Sequence, residues 1–211
     1  MRKYRIISNG TFTKYVIMKL GTSLSSRQIE IYRGDFMEDL VLKKVSIEYG
    51  DDIFSYKNEF IKNNESMDGT GFLRNSNSPQ EYIEKSLLNE TEEVDGRKVT
   101  STQLLAIRKS DNRIVGMIQI RHFLNDYLLQ YGGHIGYSVR KSERNKGYAK
   151  EELRQALIYC KNILRINRVL LTCDNDNFAS QKTILSQGGK IENEVLIEDE
   201  NCIIERYWID L

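Results

Sequence analysis

Residues 139–149, VRKSERNKGYA, join an apolar strand to a helix through a basic turn that contains one glycine. The first turn of a helix presents free N–H groups and the positive end of the helix dipole, and each charge-assisted hydrogen bond to an anion is worth roughly 1.5 to 3 kcal/mol. Gly147 would let the main chain approach an anion closely, because it has no Cβ. The stretch therefore predicts a phosphate-binding turn.

A solvated basic loop that caps a helix would show the same local pattern, and local chemistry leaves both interpretations open. Taken singly, the basic side chains near the turn favour surface charge over phosphate contact; they are Arg140, Lys141, Lys146 and Lys150. The flanking elements are better defined. Residues 134–139 are typical of a strand, and later apolar residues recur at the spacing of a helix that packs on a core; they are Leu153, Ala156, Leu157, Cys160 and Leu164.

The rest of the chain predicts a sheet with helices packed on it. The expected elements are a strand at 29–32, an amphipathic helix at 36–45, helices at 52–62 and from 79, a hairpin of strands at 104–108 and 113–121, a helix at 148–164, a strand at 168–173, a short helix at 178–187, and strands near 191–197 and 202–209. Ser78, Pro79 and Glu81 supply a cap, a first-turn proline and a capping box for the helix that begins at 79.

Two stretches lie outside this pattern. The polar stretch 63–80 contains Gly69 and Gly71 and predicts a long loop, a type that is often functional or mobile. Residues 1–28 mix short apolar patches with glycine and serine, and predict an N-terminal extension of uncertain structure, either a loosely packed arm or a strand that pairs elsewhere. The expected domain organisation is this extension followed by one domain over 29–211.

Composition excludes several classes of function. The chain has 211 residues, 40% hydrophobic and 29% charged, and a net charge of +1, which gives no general attraction to nucleic acid or membranes. No apolar run approaches the roughly 20 residues needed to span a bilayer. Cys160, Cys173 and Cys202 are odd in number and form no C-x-x-C pair, which favours a reduced, cytoplasmic protein. His122 and His134 have no third ligand nearby in sequence, so no metal site is expected.

The turn sequence Arg144-Asn145-Lys146-Gly147-Tyr148-Ala149 resembles the [Arg/Gln]-x-x-Gly-x-[Gly/Ala] signature of the GNAT acetyltransferases. The order of strands and helices around it is also similar to that family over residues 29–211. The resemblance implies an α/β (α+β) fold with a mixed, mostly antiparallel sheet, a splayed central strand pair and flanking helices. A nucleotide-binding fold is disfavoured, because neither a P-loop nor a G-x-G-x-x-G after a strand is present.

The resemblance also implies the cosubstrate and its contacts. Residues 144–149 would bind the pyrophosphate of acetyl-CoA through main-chain N–H groups, and Tyr137, Ser138 and Val139 would lie along the pantetheine arm. Asn177 corresponds to an asparagine near the pantetheine, with Ser180 one turn later. The family often has a tyrosine seven residues after that asparagine, as proton donor to the leaving thiolate. Here that position is Ile184, which leaves the general acid unassigned.

His134 is the first candidate for the base, because it begins the cofactor strand and its ordinary pKa of about 6.5 suits proton transfer. A histidine hydrogen-bonded at a strand edge is the simpler alternative. Replacements for the missing acid could come from several tyrosines, among which the sequence does not choose; they are Tyr127, Tyr131, Tyr137, Tyr148 and Tyr159. Cys173 as an acyl carrier is less favoured than a buried small residue.

The resulting hypothesis is an N-acetyltransferase that moves acetyl from acetyl-CoA to a primary amine, on a small molecule or a peptide, by direct attack in a ternary complex. The alternative is a non-catalytic acyl-CoA-binding or regulatory module on the same fold, which the isoleucine at position 184 keeps open. The expected partners are acetyl-CoA and the amine acceptor, without nucleic acid or membrane. A homodimer stays an open alternative, and the sequence does not reveal the acceptor.

Overall fold

The computed structural model describes residues 2–6, 12–18, 35–92, 99–197 and 201–211, with side chains from Met37 onward. Within these ranges the strands are β1 (Arg2–Ile6), β2 (Phe12–Met18), β3 (Asp35–Met37), β4 (Leu40–Lys44), β5 (Ser101–Arg108), β6 (Arg113–Arg121), β7 (Ile135–Val139), β8 (Arg168–Asp174), β9 (Lys190–Ile197) and β10 (Cys202–Asp210). The α-helices are α1 (Gly50–Lys62), α2 (Pro79–Leu88), α3 (Tyr148–Tyr159) and α4 (Phe178–Ser186).

The strands form three sheets. One has the order β4-β5-β6-β7, the second β8-β10-β9 and the third β1-β2-β3, and every ladder between described strands is antiparallel. The predicted α+β class is confirmed. Among the described residues, no helix has both the length and the apolar character that a membrane span needs.

Helices cover both faces of the four-stranded sheet, because successive strand residues point to opposite sides. On one face α1 and α2 pack on β5 and β6; the buried residues there include Ile53, Tyr56, Phe60, Tyr82, Ile83, Leu105, Ile107 and Met117. On the other face α3 packs on β5, β6 and β7 and also contacts the second sheet; the buried residues there include Leu104, Ile118, Ile120, Ile135, Leu153, Ala156, Val169 and Leu171. Burial of each large apolar side chain is worth roughly 1.5 to 3 kcal/mol. The helix that follows the basic turn therefore joins the two sheets.

The start of α2 confirms the predicted cap. Ser78 Oγ accepts a hydrogen bond from the Glu81 N–H at 3.1 Å. The Glu81 carboxylate reaches back and accepts from the Asn77 N–H at 2.7 Å, one residue earlier than in the usual capping box. The loop 63–78 is therefore fixed at its C-terminal end.

The predicted helix over 36–45 is wrong, since this segment forms β3, a turn and β4. Leu40 to Lys44 pair with Arg108 to Leu104, which gives the β5 edge a partner strand. The ladder outweighs an apolar spacing that is also compatible with a helix. The strand expected at 29–32 lies outside the described residues.

The N-terminal extension contributes strands. β1 pairs with β2, and β2 pairs with β3 through Phe12↔Met37, Thr13↔Phe36 and Lys14↔Asp35. Within residues 1–28, the described residues 2–6 and 12–18 are paired strands, and the predicted division into an extension and one domain stays a prediction.

Candidate functional site

β7 and β8 lie side by side but belong to different sheets. They touch at one end, where the His134 N–H donates to the Leu170 carbonyl at 2.7 Å and the Leu170 N–H donates to His134 Nδ1 at 3.0 Å. Gly133 allows this contact, because a Cβ there would lie 2.6 Å from the Leu170 oxygen. No ladder joins these two fully described strands beyond that point. The predicted splayed strand pair is confirmed, and it opens a cleft.

The register of β7 determines which main-chain groups face this cleft. The Arg121 N–H donates to the His134 carbonyl at 2.8 Å, and the Arg140 N–H donates to Val115 at 2.9 Å. Antiparallel pairing uses alternate residues, so the even-numbered residues of β7 bond to β6. The main-chain groups of Tyr137 and Val139 therefore point away from β6 and into the cleft.

The basic turn delivers the chain from β7 into α3 with two residues in the left-handed region. Asn145 has φ 62° and Gly147 has φ 86°. A Cβ on Gly147 would have one neighbour within 4 Å, the Met37 Cε at 3.3 Å. α3 begins at Tyr148, and its first-turn N–H groups have no intrahelical acceptor. The geometry is that of an open anion cradle made of main chain.

The basic side chains of the turn already have partners. Arg144 donates to the Glu65 carboxylate at 3.1 and 2.6 Å and through Nε to the Val139 carbonyl at 3.1 Å. The hydrogen bond from Arg144 lowers the pKa of Glu65. Lys146 Nζ lies 2.9 Å from Glu143 Oε2. The turn therefore offers an anion mainly its N–H groups.

α4 forms the opposite wall of the cleft. Asn177 caps it, with Oδ1 accepting from the Ser180 N–H at 3.1 Å, and the Ser180 Oγ lies 2.8 Å from the Tyr137 hydroxyl. Ile184 continues the same helix face but is fully buried. Burial raises the pKa of Tyr137 to about 12. A phenol from β7 thus reaches the helix face on which the family's usual tyrosine is missing.

The cleft has a volume of about 390 Å³. Seven of the predicted cofactor-binding residues line it; they are Tyr137, Ser138, Val139, Arg144, Ala149, Asn177 and Ser180. The other four lie in the adjoining turn; they are Asn145, Lys146, Gly147 and Tyr148. Among the latter, Tyr148 is buried and its hydroxyl is 3.4 Å from Arg108.

His134 lines neither this cleft nor the second cavity described below. Its side chain is buried, and its Nδ1 is engaged by the Leu170 N–H. Burial, aided by the charge of Arg121, lowers the pKa of His134 from 6.5 to about 4. The imidazole is therefore neutral at pH 7 and weakly basic, and its role as the base stays a prediction.

A second cavity of about 960 Å³ lies beside the cleft. We call it the acceptor cavity; its lining is Met67, Asp68, Gly69, Gly71, Phe72, Asn89, Val99, Ser101, Gln119, Arg121, Asn125, Asp126, Tyr127 and Leu128. Asp68 is common to the lining of both spaces. These residues come from four separate segments, 67–72, 89, 99–101 and 119–128, and of them sequence reasoning singled out only Gly69, Gly71 and Tyr127.

Two buried charged groups lie close to β6 and β7. Arg140 was expected on the surface, and that expectation is wrong: it is 1% exposed and bonds to Asp52, Glu59 and the Ile114 carbonyl. Glu152 of α3 is fully buried, and neither carboxylate oxygen has a hydrogen-bond partner among the described residues. Burial raises the pKa of Glu152 well above its usual value.

We compared the chain with protein-family models, curated sequences and solved structures. An Acetyltransferase (GNAT) domain model matches residues 39–190. No curated protein sequence matches the chain.

Several solved structures share the fold. A GNAT-family acetyltransferase from Bacillus anthracis is 18% identical with a TM-score of 0.56, over 82% of this chain and 95% of that one. The ribosomal-protein-S5-alanine acetyltransferase from Vibrio fischeri is 14% identical with a TM-score of 0.59, over 82% and 93%. Mutant forms of the spermidine/spermine N-acetyltransferase SpeG from Vibrio cholerae are 15% identical with a TM-score of 0.57, over 81% and 94%. With the family model covering most of the chain, this protein belongs to the GNAT family of acetyltransferases, which use acetyl-CoA as cosubstrate.

Proposed function

We propose that the protein transfers the acetyl group of acetyl-CoA to a primary amine, on a small molecule or a peptide, by direct attack in a ternary complex. The observation that carries the proposal is the continuity of the cleft. The main-chain edge of β7 at Tyr137 and Val139 faces the cleft, where the Val139 carbonyl already accepts from Arg144 Nε, and it leads into the turn at Gly147, where the N–H groups of α3 begin.

The cofactor would bind along this path. The N–H groups of residues 144–149 would hold the pyrophosphate, and the cleft-facing edge of β7 would bond to the pantetheine arm, with Asn177 and Ser180 opposite. A main-chain N–H of β7 aimed at the thioester carbonyl would stabilise the developing oxyanion, an effect often worth about 3 kcal/mol per donor. The paired side chains of Arg144 and Lys146 act secondarily.

Tyr137 is our candidate for the acid that position 184 lacks. The amine nitrogen attacks the thioester carbon, the C–S bond breaks, and the leaving thiolate takes the hydroxyl proton of Tyr137. The phenolate recovers a proton through the Ser180 hydroxyl, 2.8 Å away. Net, the neutral amine gives one N–H proton to solvent water, solvent returns one proton through Ser180 to Tyr137, and the CoA thiol gains the proton that Tyr137 gave. The other candidate tyrosines do not line the cleft.

The proposal is tested in two stages. Calorimetry with acetyl-CoA should show binding, and an assay for released CoA thiol across a panel of primary amines should then identify an acceptor by mass spectrometry. Absence of acetyl-CoA binding would refute the proposal. Binding without transfer to any amine would support the alternative, a non-catalytic acyl-CoA-binding module.

A further inference from the structure

We infer that the acceptor is the N-terminal α-amine of a peptide, bound in the acceptor cavity between Asp68, Arg121 and Asn89, with Asp68 receiving the amine proton. This inference rests on the proposed acetyl transfer and specifies its second substrate.

Asp68 is fixed where the two spaces meet. The Ser138 Oγ donates to the Asp68 main-chain carbonyl, so the loop is tied to β7. Gly69 packs so closely on β7 that a Cβ there would lie 2.1 Å from the Gly136 oxygen, and the Gly69 carbonyl accepts from Gln103 at 2.8 Å. The main chain of Asp68 therefore lies against the strand that would carry the thioester, and its exposed carboxylate accepts a hydrogen bond from the Ser66 Oγ at 3.0 Å while lining both spaces. An amine held by it has the acetyl group within the adjoining cleft.

Asn89 gives the acceptor cavity an unsatisfied hydrogen-bond acceptor. Its side chain is 2% exposed, and Nδ2 donates to the Ser101 Oγ at 2.7 Å. Oδ1 receives no hydrogen bond from the described residues. Buried carbonyl groups are nearly always hydrogen-bonded, and a rotation of this cavity-lining side chain that exposes the oxygen would let a ligand N–H satisfy it. The amide N–H groups that follow a peptide α-amine would supply it.

Arg121 gives the same cavity a donor. Its Nη1 donates to the Gly132 and Gly133 carbonyls at 2.9 and 3.0 Å, and no described carboxylate lies within ion-pairing distance of it. The remaining guanidinium N–H groups suit a ligand carbonyl, since arginine has donors and no acceptor. A peptide presents such a carbonyl next to its α-amine.

The charges of the cavity match a single ammonium. Its ionisable lining residues are Asp68, Asp126 and Arg121, which sum to one negative charge. A polyamine would bring further cations next to Arg121, where like charges repel. A peptide α-amine brings one charge followed by neutral amides.

The basicity of the acceptor points the same way. Roughly one α-amine in seven is deprotonated at pH 7, against roughly one lysine amine in 2,500. A carboxylate is a weak base and suits the less basic amine.

The test measures acetyl transfer by the full-length protein, with acetyl-CoA, to three kinds of acceptor. The first is a short peptide with a free N-terminus, the second is the same peptide with a formylated N-terminus and an added lysine, and the third is spermidine. Transfer to the free α-amine at least about tenfold faster in kcat/KM than to the other two is expected. Faster transfer to spermidine or to lysine would overturn the inference while leaving the proposed function intact. Calorimetry with acetyl-CoA tests the proposed function separately.

Methylating the peptide amides one at a time tests Asn89. Methylation of the one peptide amide that bonds to Asn89 Oδ1 should lower the kcat/KM of the wild-type protein about tenfold, because that N–H is lost. The kcat/KM of Asn89→Leu should not change with the same methyl group. Equal sensitivity of both proteins, or none in the wild type, would contradict the contact. Should Asn89→Leu fail to fold, the wild-type methylation series alone decides.

Asp68→Asn tests the proton acceptor. A loss of about 10²-fold in kcat is expected, with acetyl-CoA affinity retained. Glu84→Gln removes the charge of an exposed α2 residue and controls for loss of charge alone. An unchanged kcat in Asp68→Asn would overturn the base role.

Discussion

The hydroxyl of Tyr137 lies 2.8 Å from the Oγ of Ser180, so a strand residue and a helix residue together place a proton donor on the wall of the cleft. If this pair protonates the leaving thiolate, Tyr137→Phe should lower kcat by about 10²-fold while acetyl-CoA affinity, measured by calorimetry, changes little. The phenyl ring preserves the packing.

A change of acetyl donor separates catalysis from structure. The thiolate of 4-nitrothiophenol leaves without protonation, so with its acetyl thioester the deficit of Tyr137→Phe should shrink to less than about threefold. A deficit of equal size with both donors would show that Tyr137 only supports the fold. Ser180→Ala should give a smaller effect in the same direction.

Gly147 can be tested against a glycine of identical backbone conformation. Gly147 and Gly188 both have φ 86°, and a Cβ on Gly188 would have no neighbour within 4 Å. Glutamate at either position therefore meets the same backbone strain, about 1 to 2 kcal/mol. Gly147→Glu should abolish acetyl-CoA binding in calorimetry, because its carboxylate repels the pyrophosphate, whereas Gly188→Glu should bind normally. Equal affinities in the two variants would rule out the turn as the phosphate site.

Much of this site was open to prediction because its signals are local. A strand, a glycine-bearing turn and a helix are contiguous in sequence, and the cap at Ser78 depends on neighbours only. The helix predicted over 36–45 is wrong because the apolar spacing of this segment fits either a helix or an edge strand. Its pairing with β5, 60 to 68 residues away, selects the strand. The acceptor cavity has no local signal, since Asp68, Asn89 and Arg121 meet only through the fold.

Two variants of His134 distinguish a role as catalytic base from a role as structural hydrogen-bond acceptor. His134→Ala leaves the Leu170 N–H without its partner and should cost about 1 to 3 kcal/mol of unfolding free energy. His134→Asn keeps an acceptor oxygen and should retain stability and the wild-type pH–rate profile. If His134 takes the amine proton, both variants will instead lose the same fraction of kcat.

The same histidine should make stability depend on pH. Its folded pKa of about 4 lies below the ordinary 6.5, so the unfolded state binds more protons between these values. Stability is fully present above pH 6.5 and falls as the pH drops toward 4, by about 3 kcal/mol at 1.36 kcal/mol per unit. Urea unfolding at pH 7 and pH 4 measures this loss, and it should be absent in His134→Asn.

The buried carboxyl group of Glu152 should make the stability of the protein depend on pH in the opposite direction. Burial raises its folded pKa above 4.5, so its contribution is fully present below pH 4.5 and is lost as rising pH ionises the unfolded state. Glu152→Gln carries no such group and should gain stability over wild type as the pH rises from 4 to 7, by at most about 1.4 kcal/mol per unit. Urea unfolding across that range measures the gain. Exposed Glu84→Gln is the control, and a pH-independent difference at Glu152 would contradict the assignment.

The N-terminal extension should influence cofactor binding more than folding. β2 pairs with β3, and Met37 of β3 packs with Val139 and Tyr148 and lies against Gly147 in the turn. Deleting residues 1–28 removes β1 and β2 but leaves the cores under α1, α2 and α3, so the melting temperature should fall by only a few degrees. Acetyl-CoA affinity should weaken severalfold, because β3 loses the strand that holds Met37 against the turn. A large drop in melting temperature would show that the extension is part of the domain, and unchanged affinity would show that β3 holds its position alone.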